Sequence, residues 1–247
     1  MVSGVKLAKL KKNGRLKIDR NNRVEPLVDA IIQNGKVLST TLSATRLDLG
    51  CGPGKKPGFI GVDQTAFPGV DVVCNLAEPI YAPFPSWKDP DCVKLEGFER
   101  KPMGYVRWPW ETSSVEEAHS SHCLEHFDAM ERVHFLNELY RVLKPGAKAT
   151  IICPHWASCR AYGDPTHKWP PVSEFAWFYL KREWRMANAP HTDYSNLKGG
   201  YNVNFEVTWG YSLEPGVAMR NQEYQQIAMT YWKEACQDMI ATLTALK

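Results

Sequence analysis

The chain has 247 residues, of which 44% are hydrophobic and 23% charged, so it can bury one full-sized globular core. No apolar run approaches the ~20 residues of a membrane-spanning helix, and the lysine-bearing N-terminus lacks the apolar centre of a signal peptide. These features exclude membrane-spanning helices and predict a soluble, cytoplasmic protein that does not associate with membranes.

Charge is distributed unevenly along the chain. Residues 1–23 hold eight Lys or Arg and one Asp, a net charge of +7, whereas the remainder holds 22 Lys or Arg and 26 Asp or Glu, a net charge of −4. The basic segment 1–23 could contact a phosphate backbone, but we favour a solvated terminal arm. The mildly acidic remainder does not resemble a surface that binds duplex nucleic acid.

The seven cysteines lack a paired C-x-x-C spacing and are interpreted as reduced thiols, which fits the cytoplasm. Two sets of side chains could bind zinc if the fold brought their ligand atoms close together. They are Cys153 with His155 and Cys159, and His122 with Cys123 and His126. Neither has the spacing typical of zinc sites, so we expect no metal. Nothing in the sequence indicates an activated thiol at Cys123 or Cys159.

The first 45 residues predict an N-terminal extension, and residues 46–247 the main domain. Asn13-Gly14 between short apolar runs predicts a β-hairpin over residues 5–18. Pro26 to Gln33 predicts a short helix that stops near Asn34-Gly35. The extension could flank a substrate pocket or a subunit interface, and a homodimer is one arrangement considered.

A predicted buried strand, Leu47 to Leu49, leads into a turn with a glycine at every second position. The glycines are Gly50, Gly52 and Gly54. Glycine allows a sharp turn and leaves no Cβ between the chain and a ligand. A second predicted strand, Phe59 to Val62, ends on Asp63. An open α/β sheet binds a ribose-bearing ligand in this way, beyond the carboxyl ends of its strands.

The spacing distinguishes two kinds of nucleotide site. A dinucleotide site has G-x-G-x-x-G running into a long helix whose N-terminus binds pyrophosphate. Here Asp48 precedes G-x-G-x-G, and only Lys55 to Gly58 separates the turn from the next strand, which leaves little room for a helix. The order D-x-G-x-G-x-G resembles motif I of the class I S-adenosylmethionine-dependent methyltransferases.

Further elements follow in chain order. Val70 to Cys74 predicts a third buried strand, and Asn75 at its end could meet an adenine edge. Residues 77–107, rich in proline and aromatics, predict an insertion. A fourth strand is predicted near Val115 to His119. The later predicted elements are a helix over Asp128 to Arg141 that stops at Lys144-Pro-Gly146, strand five over Ala149 to Cys153, an aromatic helix over Ser173 to Arg185, strand six over Asn202 to Trp209, a helix over Glu223 to Ala235, and strand seven over Asp238 to Leu246.

Three segments extend the resemblance. Ser120 to His126 resembles an S-x-x-LEH signature, and Glu138 to Gly146 resembles the E-x-x-RVLKPGG segment of the type 11 methyltransferases, with Ala147 in place of the second glycine. Asp164 to His167 resembles a DPTH segment that follows strand five in one branch of these enzymes. The resemblance covers residues 47–154 well. It implies a Rossmann-like α/β fold with a seven-stranded, doubly wound sheet, in which strand seven lies antiparallel between strands five and six.

The resemblance also implies S-adenosyl-L-methionine as the cofactor and a set of residues that bind it. They are Asp48, Gly50, Cys51, Gly52, Gly54, Asp63, Gln64, Asn75, Leu76, Trp108, Pro109, Ser120, Ser121 and His122. By resemblance, the glycines accept the methionine and ribose parts, Asp63 binds both ribose hydroxyls, and Trp108 to Trp110 lie beside the adenine or roof its pocket.

Methyl transfer is an in-line displacement at a sulfonium carbon, so most of its catalysis is positioning. A general base is needed only for a protonated oxygen or nitrogen nucleophile, and histidine suits neutral pH. The candidates are His122, His155 and His167, with Asp164 as an orienting partner. Packing or capping beside the cofactor is the alternative role for His122 and His126, and fixing a loop turn is the alternative role for Asp164 and His167.

The predicted acceptor is an oxygen or nitrogen of a small molecule, nucleotide or saccharide. Enzymes that methylate exocyclic amines of DNA bases resemble one another in an (Asp/Asn)-Pro-Pro-aromatic motif after strand four, and cytosine-C5 enzymes in a Pro-Cys nucleophile. This chain has Ser120-Ser-His-Cys123 there, which argues against both. The alternatives are methylation of another nucleic acid through residues 1–23, and a non-catalytic S-adenosylmethionine-binding module.

Overall fold

A computed structural model describes residues 31–33, 36–38, 46–80, 103–192 and 200–247 of the protein. The described strands are β1 (Ile31–Gln33), β2 (Lys36–Leu38), β3 (Arg46–Leu49), β4 (Ile60–Asp63), β5 (Val72–Val73), β6 (Pro79–Ile80), β7 (Gly104–Tyr105), β8 (Val115–Ser121), β9 (Leu143–Pro154), β10 (Phe205–Leu213) and β11 (Cys236–Ala245). The described α-helices are α1 (Ala129–Val142), α2 (Arg160–Gly163), α3 (Glu174–Phe178), α4 (Arg182–Asn188), α5 (Pro215–Ala218) and α6 (Gln222–Tyr231), and Leu124–His126 forms one 3-10 turn.

Seven strands form one mixed sheet in the order β10-β11-β9-β8-β3-β4-β5. The five from β9 to β5 are parallel, and β11 lies antiparallel between β9 and β10. This confirms the predicted α/β sheet and the position of its last strand. No helix among the described residues is both long and apolar enough to cross a bilayer.

The functional edge of the sheet follows from the strand order. From β3 the chain proceeds to β4 and β5 on one side of the sheet, and later to β8 and β9 on the other side. The order of winding therefore reverses between β3 and β8, and a crevice opens beyond their carboxyl ends at such a reversal. The segments that leave these two ends are residues 50–59 and 122–128.

Helix α1 shows why the sequence folds this way beside the crevice. Asp128 caps its first turn by accepting from the backbone N–H groups of Met130 and Glu131, and the Glu131 side chain accepts from the Asp128 N–H. Such a cap contributes about 1 kcal/mol. Leu136 and Leu139 on the inner face pack into the apolar cluster that contains the central strands. The cap thereby fixes where the chain leaves the end of β8.

Several predicted boundaries differ from the structure. The helix predicted over Pro26 to Gln33 is wrong at its end, because Ile31–Gln33 is a strand that pairs with β2. The two-residue Asn34-Gly35 connection between them in sequence has the composition typical of a hairpin. The hairpin predicted over residues 5–18 lies outside the described residues.

The predicted turn at Lys144-Pro-Gly146 lies within β9 instead. Val115 of β8 pairs with Leu143, whereas Glu117 pairs with Lys148, so the register between β8 and β9 shifts between these two pairs. The extra residues of β9 form a bulge in which Gly146 has a φ of 75°. The predicted aromatic helix over Ser173 to Arg185 is two short helices, α3 and α4. The third strand is only two residues long.

The predicted insertion at 77–107 begins and ends in a two-stranded ribbon. Pro79 pairs with Tyr105, and Ile80 pairs with Gly104. Residues 81–102 between these strands lie outside the described part of the chain. The division at residue 45 stays a prediction.

Candidate functional site

The glycine turn, Gly50 to Gly54, follows β3 directly and runs against the end of β8. Gly50 has a φ of 70°, and a Cβ at this position would lie 2.4 Å from Cys123 Sγ. Gly52 also has a positive φ, of 53°, but among the described residues no atom would lie within 4 Å of a Cβ at Gly52 or Gly54. Gly50 therefore allows close packing within the protein, while the backbone of Gly52 and Gly54 borders open space that a ligand can approach.

Asp63 lies at the end of β4 and is bonded to the glycine turn. One carboxylate oxygen accepts from the Gly52 N–H at 2.9 Å, and the other accepts from the Thr65 N–H at 2.8 Å. Each oxygen keeps a further lone pair, so the carboxylate can still accept from a ligand. The turn and the acid therefore form one bonded unit, although Gln64, the next predicted cofactor residue, is exposed.

Asp48, in the middle of β3, is buried and its two oxygens are used within the protein. Oδ1 lies 2.7 Å from His119 Nδ1 on β8, and Oδ2 accepts from the Lys56 N–H at 2.7 Å. These contacts hold the segment after the glycine turn onto the central strands. Asp48 therefore has a structural role in shaping the turn, which the sequence pattern alone did not indicate.

Trp108 and Trp110, predicted to lie beside an adenine, belong to the core instead. Each is only 2% exposed, so neither ring presents a face to a ligand. Trp108 donates from Nε1 to the Leu76 carbonyl and from its backbone N–H to Glu138, and it packs edge-on against Phe135. Trp108 therefore packs in the core, and its contact with an adenine stays a prediction.

The other predicted adenine-side residues differ in exposure. Asn75 is exposed and accepts from the Ala77 N–H at 3.0 Å through its side-chain oxygen. Leu76 is buried below it, and Pro109 is half-buried. The amide nitrogen of Asn75 remains available as a donor.

The end of β8 carries Ser120, Ser121 and His122. Ser120 is buried and donates from Oγ to the Leu49 carbonyl at 2.9 Å, which ties β8 to β3 beside the turn. Ser121 is half-buried. His122 has a φ of 52°, unusual for a residue with a side chain, and its backbone N–H donates to the Ile152 carbonyl. This backbone conformation places its imidazole beyond the strand ends.

The imidazole of His122 lies between two buried carboxylates. Nδ1 lies 3.2 Å from Glu125 Oε1, and Nε2 lies 4.0 Å from Asp238 Oδ1. The hydrogen bond to Glu125 raises the pKa of His122 above its usual value, against the opposing effect of burial. Since Nδ1 donates to Glu125, the lone pair of the neutral ring is on Nε2. The side chain is 39% exposed, so this nitrogen can meet a solute.

His155 is not at the surface where a base could work. It is 1% exposed, with Nε2 at 3.0 Å from Glu174 Oε1 and Nδ1 accepting from the Ala157 N–H. Its hydrogen bond lowers the pKa of Glu174 to about 2. The prediction of His155 as a catalytic base is therefore wrong, and the residue anchors α3 against the sheet.

The His167 backbone N–H donates to the Asp164 carbonyl, but the two side chains are not hydrogen-bonded to each other. Asp164 Oδ2 lies 4.0 Å from His167 Nε2, whereas Oδ1 accepts from the backbone and hydroxyl of Thr166, and these bonds lower the pKa of Asp164. His167 instead lies against His126, with ring centroids 4.8 Å apart. Asp164 therefore orients Thr166 and does not orient His167 directly.

The cysteines of the site are weak nucleophiles, as predicted for Cys123. Burial raises the pKa of Cys51 to about 12, with Asp48 adding to the effect, and burial raises that of Cys123 to about 12 as well. The exposed Cys159 has a raised pKa chiefly through a hydrogen bond with Glu234. A protonated thiol cannot act as a nucleophile at neutral pH.

Three functional candidates were missed by the sequence patterns: Glu125, Asp238 and Arg132. Glu125 lies within the S-x-x-LEH signature, and its position three residues after His122 was the sequence signal for a contact between them. Asp238 reaches the site from β11, 116 positions beyond His122, so no local pattern could connect them. Among the described residues, ligand atoms of Glu125, His126 and His167 lie within 4.8 Å of one another, so of the two zinc sets considered only His126 belongs to this group.

No protein-family model matches the chain. No curated protein matches it either.

Among solved structures, a methyltransferase of Archaeoglobus fulgidus that depends on S-adenosylmethionine is 17% identical, with 81% of this chain and 85% of that one covered and a TM-score of 0.46. A geranyl diphosphate C-methyltransferase of Streptomyces coelicolor is 14% identical, with 82% and 74% covered and a TM-score of 0.41. The 1,6-didemethyltoxoflavin-N1-methyltransferase of Burkholderia thailandensis is 13% identical, with 83% and 72% covered and a TM-score of 0.42.

All three TM-scores lie below 0.5 and all three identities below 25%, so the fold rests on the strand order of this chain itself. That order, with β11 antiparallel between β9 and β10, is a Rossmann-like seven-stranded α/β sheet whose crevice lies between β3 and β8.

Proposed function

We propose that the chain is an S-adenosylmethionine-dependent methyltransferase whose acceptor is an oxygen or nitrogen of a small molecule, nucleotide or saccharide. One observation carries the proposal: the Asp63 carboxylate is bonded to the Gly52 N–H where the winding of the sheet reverses. An acid that retains free lone pairs and an adjoining glycine turn suit a ribose diol, and both lie where open α/β sheets bind nucleosides.

The residues fit the cofactor without a pyrophosphate-binding helix. No helix lies in the described connection between β3 and β4, residues 50–59. The open space beside Gly52 and Gly54 would accept the methionine and ribose parts, Asp63 the two ribose hydroxyls, and Asn75 the adenine edge. When bound, the cofactor would supply an electrophilic methyl group on a sulfonium. The protein's task is to position the acceptor and take up its proton.

His122 is the best-placed base for that proton. Its Nε2 carries the lone pair of the neutral ring, its Nδ1–H is oriented by Glu125, and its imidazole lies beyond the end of β8, next to the glycine turn. Cys123, the following residue, contacts Gly50, so the base and the turn adjoin across the crevice. An acceptor hydroxyl or amine between them would lose its proton to Nε2 as its oxygen or nitrogen gains the methyl group.

The test of the cofactor site is Asp63→Ala, titrated with S-adenosylhomocysteine by calorimetry. We expect at least a 30-fold loss of affinity, an order-of-magnitude figure for removing a charged acceptor from a ribose diol. Glu206→Ala is the matched control, because it removes an exposed carboxylate from β10 at the far edge of the sheet, and it should bind as the wild type does. Equal affinity of Asp63→Ala and wild type would refute the site.

The test of catalysis is transfer of a labelled methyl group from S-adenosylmethionine to fractions of a cell extract. We expect label in a small-molecule fraction with wild type and Glu206→Ala, and none with Asp63→Ala. Label in a nucleic-acid fraction, with an affinity that falls steeply with salt, would identify the alternative acceptor instead. Tight cofactor binding with no labelled product in any fraction would favour a non-catalytic binding module.

A further inference from the structure

Glu125, His126 and His167 form a cluster on the outer side of His122, and we propose that this cluster binds a divalent transition metal ion. Ligand atoms of all three side chains lie within 4.8 Å of one another. Two imidazoles and one carboxylate are a ligand set for zinc and its first-row neighbours, whereas magnesium and calcium prefer oxygen ligands alone. The metal proposal does not rest on the proposed methyltransferase activity, although Glu125 contributes to both sites.

Glu125 provides an unpartnered ligand atom. The residue is 4% exposed, and its Oε2 is buried without a hydrogen-bond partner among the described residues. Its other oxygen, Oε1, is bonded to His122 Nδ1. An unpaired buried carboxylate oxygen costs free energy that a bound cation would recover. One carboxylate can thus serve His122 with one oxygen and a metal ion with the other.

The neighbours of the two histidines fix both rings in the tautomer that a metal needs. The Thr166 hydroxyl donates to Asp164 Oδ1, so its oxygen accepts from His126 Nδ1 at 3.0 Å. His167 Nδ1 lies 3.2 Å from the Ala161 carbonyl, which can only accept. Both Nδ1 atoms therefore carry the proton, and both Nε2 atoms carry a lone pair. Metal-binding histidines are oriented by the same kind of outer contact.

A buried arginine holds together the two segments that carry these ligands. Arg132, on α1, donates from its guanidinium to the carbonyls of Leu124, Lys168 and Pro170. The Lys168 N–H in turn donates to the Glu125 carbonyl at 2.8 Å. These hydrogen bonds therefore fix the two backbone segments that carry the ligands, so the ligands stay in place without an ion. Three protein ligands would leave further coordination positions for water or an oxygen of a solute.

The experiment is a calorimetric titration of the chelator-treated full chain with Zn²⁺. We expect one strong site, weakened at least tenfold in each of Glu125→Gln, His126→Ala and His167→Ala. Two controls should leave it unchanged: His191→Ala removes an exposed histidine elsewhere, and Cys159→Ser removes an exposed thiol. Unchanged binding in all three cluster variants would overturn the proposal, as would binding lost only in Cys159→Ser or after alkylation of the thiols.

Thermal unfolding provides a second readout that separates binding from folding. Zn²⁺ should raise the midpoint of wild type and His191→Ala, and should raise that of His126→Ala much less, while the metal-free midpoints of the three stay similar. If His167→Ala does not fold, the two other cluster variants decide. An equal zinc-induced rise in wild type and His126→Ala would overturn the proposal.

Discussion

The two sides of the crevice are built on different principles. On the side of the glycine turn, the polar groups of Asp48 and Asp63 bond to backbone N–H groups no more than 11 positions away, and to His119. On the histidine side, which comprises His122, Glu125, His126, His167 and Asp238, contacts span up to 116 positions. Buried oxygens of Glu125 and Asp238 there have no hydrogen-bond partner among the described residues.

The difference shows where stability and chemistry are concentrated. Satisfied hydrogen bonds and a closely packed backbone make the glycine turn a rigid binding surface. Its function depends mainly on its shape. The unpartnered oxygens on the histidine side cost stability, and proteins retain such groups mainly where they act on protons, ions or ligands. Substitutions on the first side should therefore affect folding and cofactor affinity, and substitutions on the second side should affect turnover.

Gly50→Ala should have the largest effect. Its methyl group would lie 2.4 Å from Cys123 Sγ, at a φ of 70° that disfavours any side chain. Overpacking and backbone strain together should lower the free energy of unfolding by about 2–4 kcal/mol. Gly54→Ala, with open space around its Cβ and no positive φ, is the control and should change little. Urea unfolding of both variants measures the difference, and similar midpoints would show that the turn is not rigid.

His122→Ala should lower turnover about 100-fold by removal of a general base, with cofactor affinity unchanged within about twofold. The measurement is single-turnover transfer of labelled methyl to the acceptor fraction, together with S-adenosylhomocysteine titration. His155→Gln tests the comparison, because His155 is buried away from the crevice and its loss should affect unfolding rather than turnover. A parallel fall of affinity and turnover in His122→Ala would assign His122 to binding.

Glu174→Gln should have a pH-dependent effect on stability. The pKa of Glu174 is lowered to about 2 in the fold by the His155 hydrogen bond, so the carboxylate stabilises the protein fully above about 4.5, the value of a free glutamate. This contribution is lost as pH falls toward 2. Wild type should exceed the variant by about 1–2 kcal/mol at pH 7. The gap should narrow between pH 5 and pH 3 in urea titrations, and a constant gap would show that the hydrogen bond from His155 does not favour the Glu174 carboxylate.

Ser120→Ala should have the smallest effect. It removes the bond from Ser120 Oγ to the Leu49 carbonyl, and a single such bond contributes about 1 kcal/mol. Thermal unfolding measures the loss, and Ser121→Ala, at a half-buried neighbour, is the control. A larger drop in cofactor affinity than in stability would mean that Ser120 touches the ligand directly.

The strands and the turn on the side of the glycine turn were predicted well from the sequence, because their geometry is local. The spacing of Gly50, Gly52 and Asp63 is set by one strand, one turn and a second strand, so it is visible in the order of residues. The same pattern could not separate a ligand-facing tryptophan from a core one, and Trp108 proved to belong to the core. Aromatic side chains beside a motif fit either role, and only tertiary packing decides.

On the histidine side, the sequence named His122, His126 and His167 as candidates but missed Glu125, Asp238 and the arrangement of the group. His155 is covered by α3, which the sequence placed in one longer helix, and its partner Glu174 lies on that helix. The cluster of Glu125, His126 and His167 depends on Arg132 joining two loops, which is a long-range contact without a sequence signature. Propensity and spacing describe single elements, whereas such sites depend on how distant elements pack.

The most direct test of the central claim is a crystal structure of the chain with S-adenosylhomocysteine. We expect the nucleoside in the crevice between β3 and β8, with both ribose hydroxyls within hydrogen-bond distance of Asp63 and the homocysteine part along Gly52 and Gly54. A nucleoside bound elsewhere, or turned so that Asp63 contacts no hydroxyl, would contradict it.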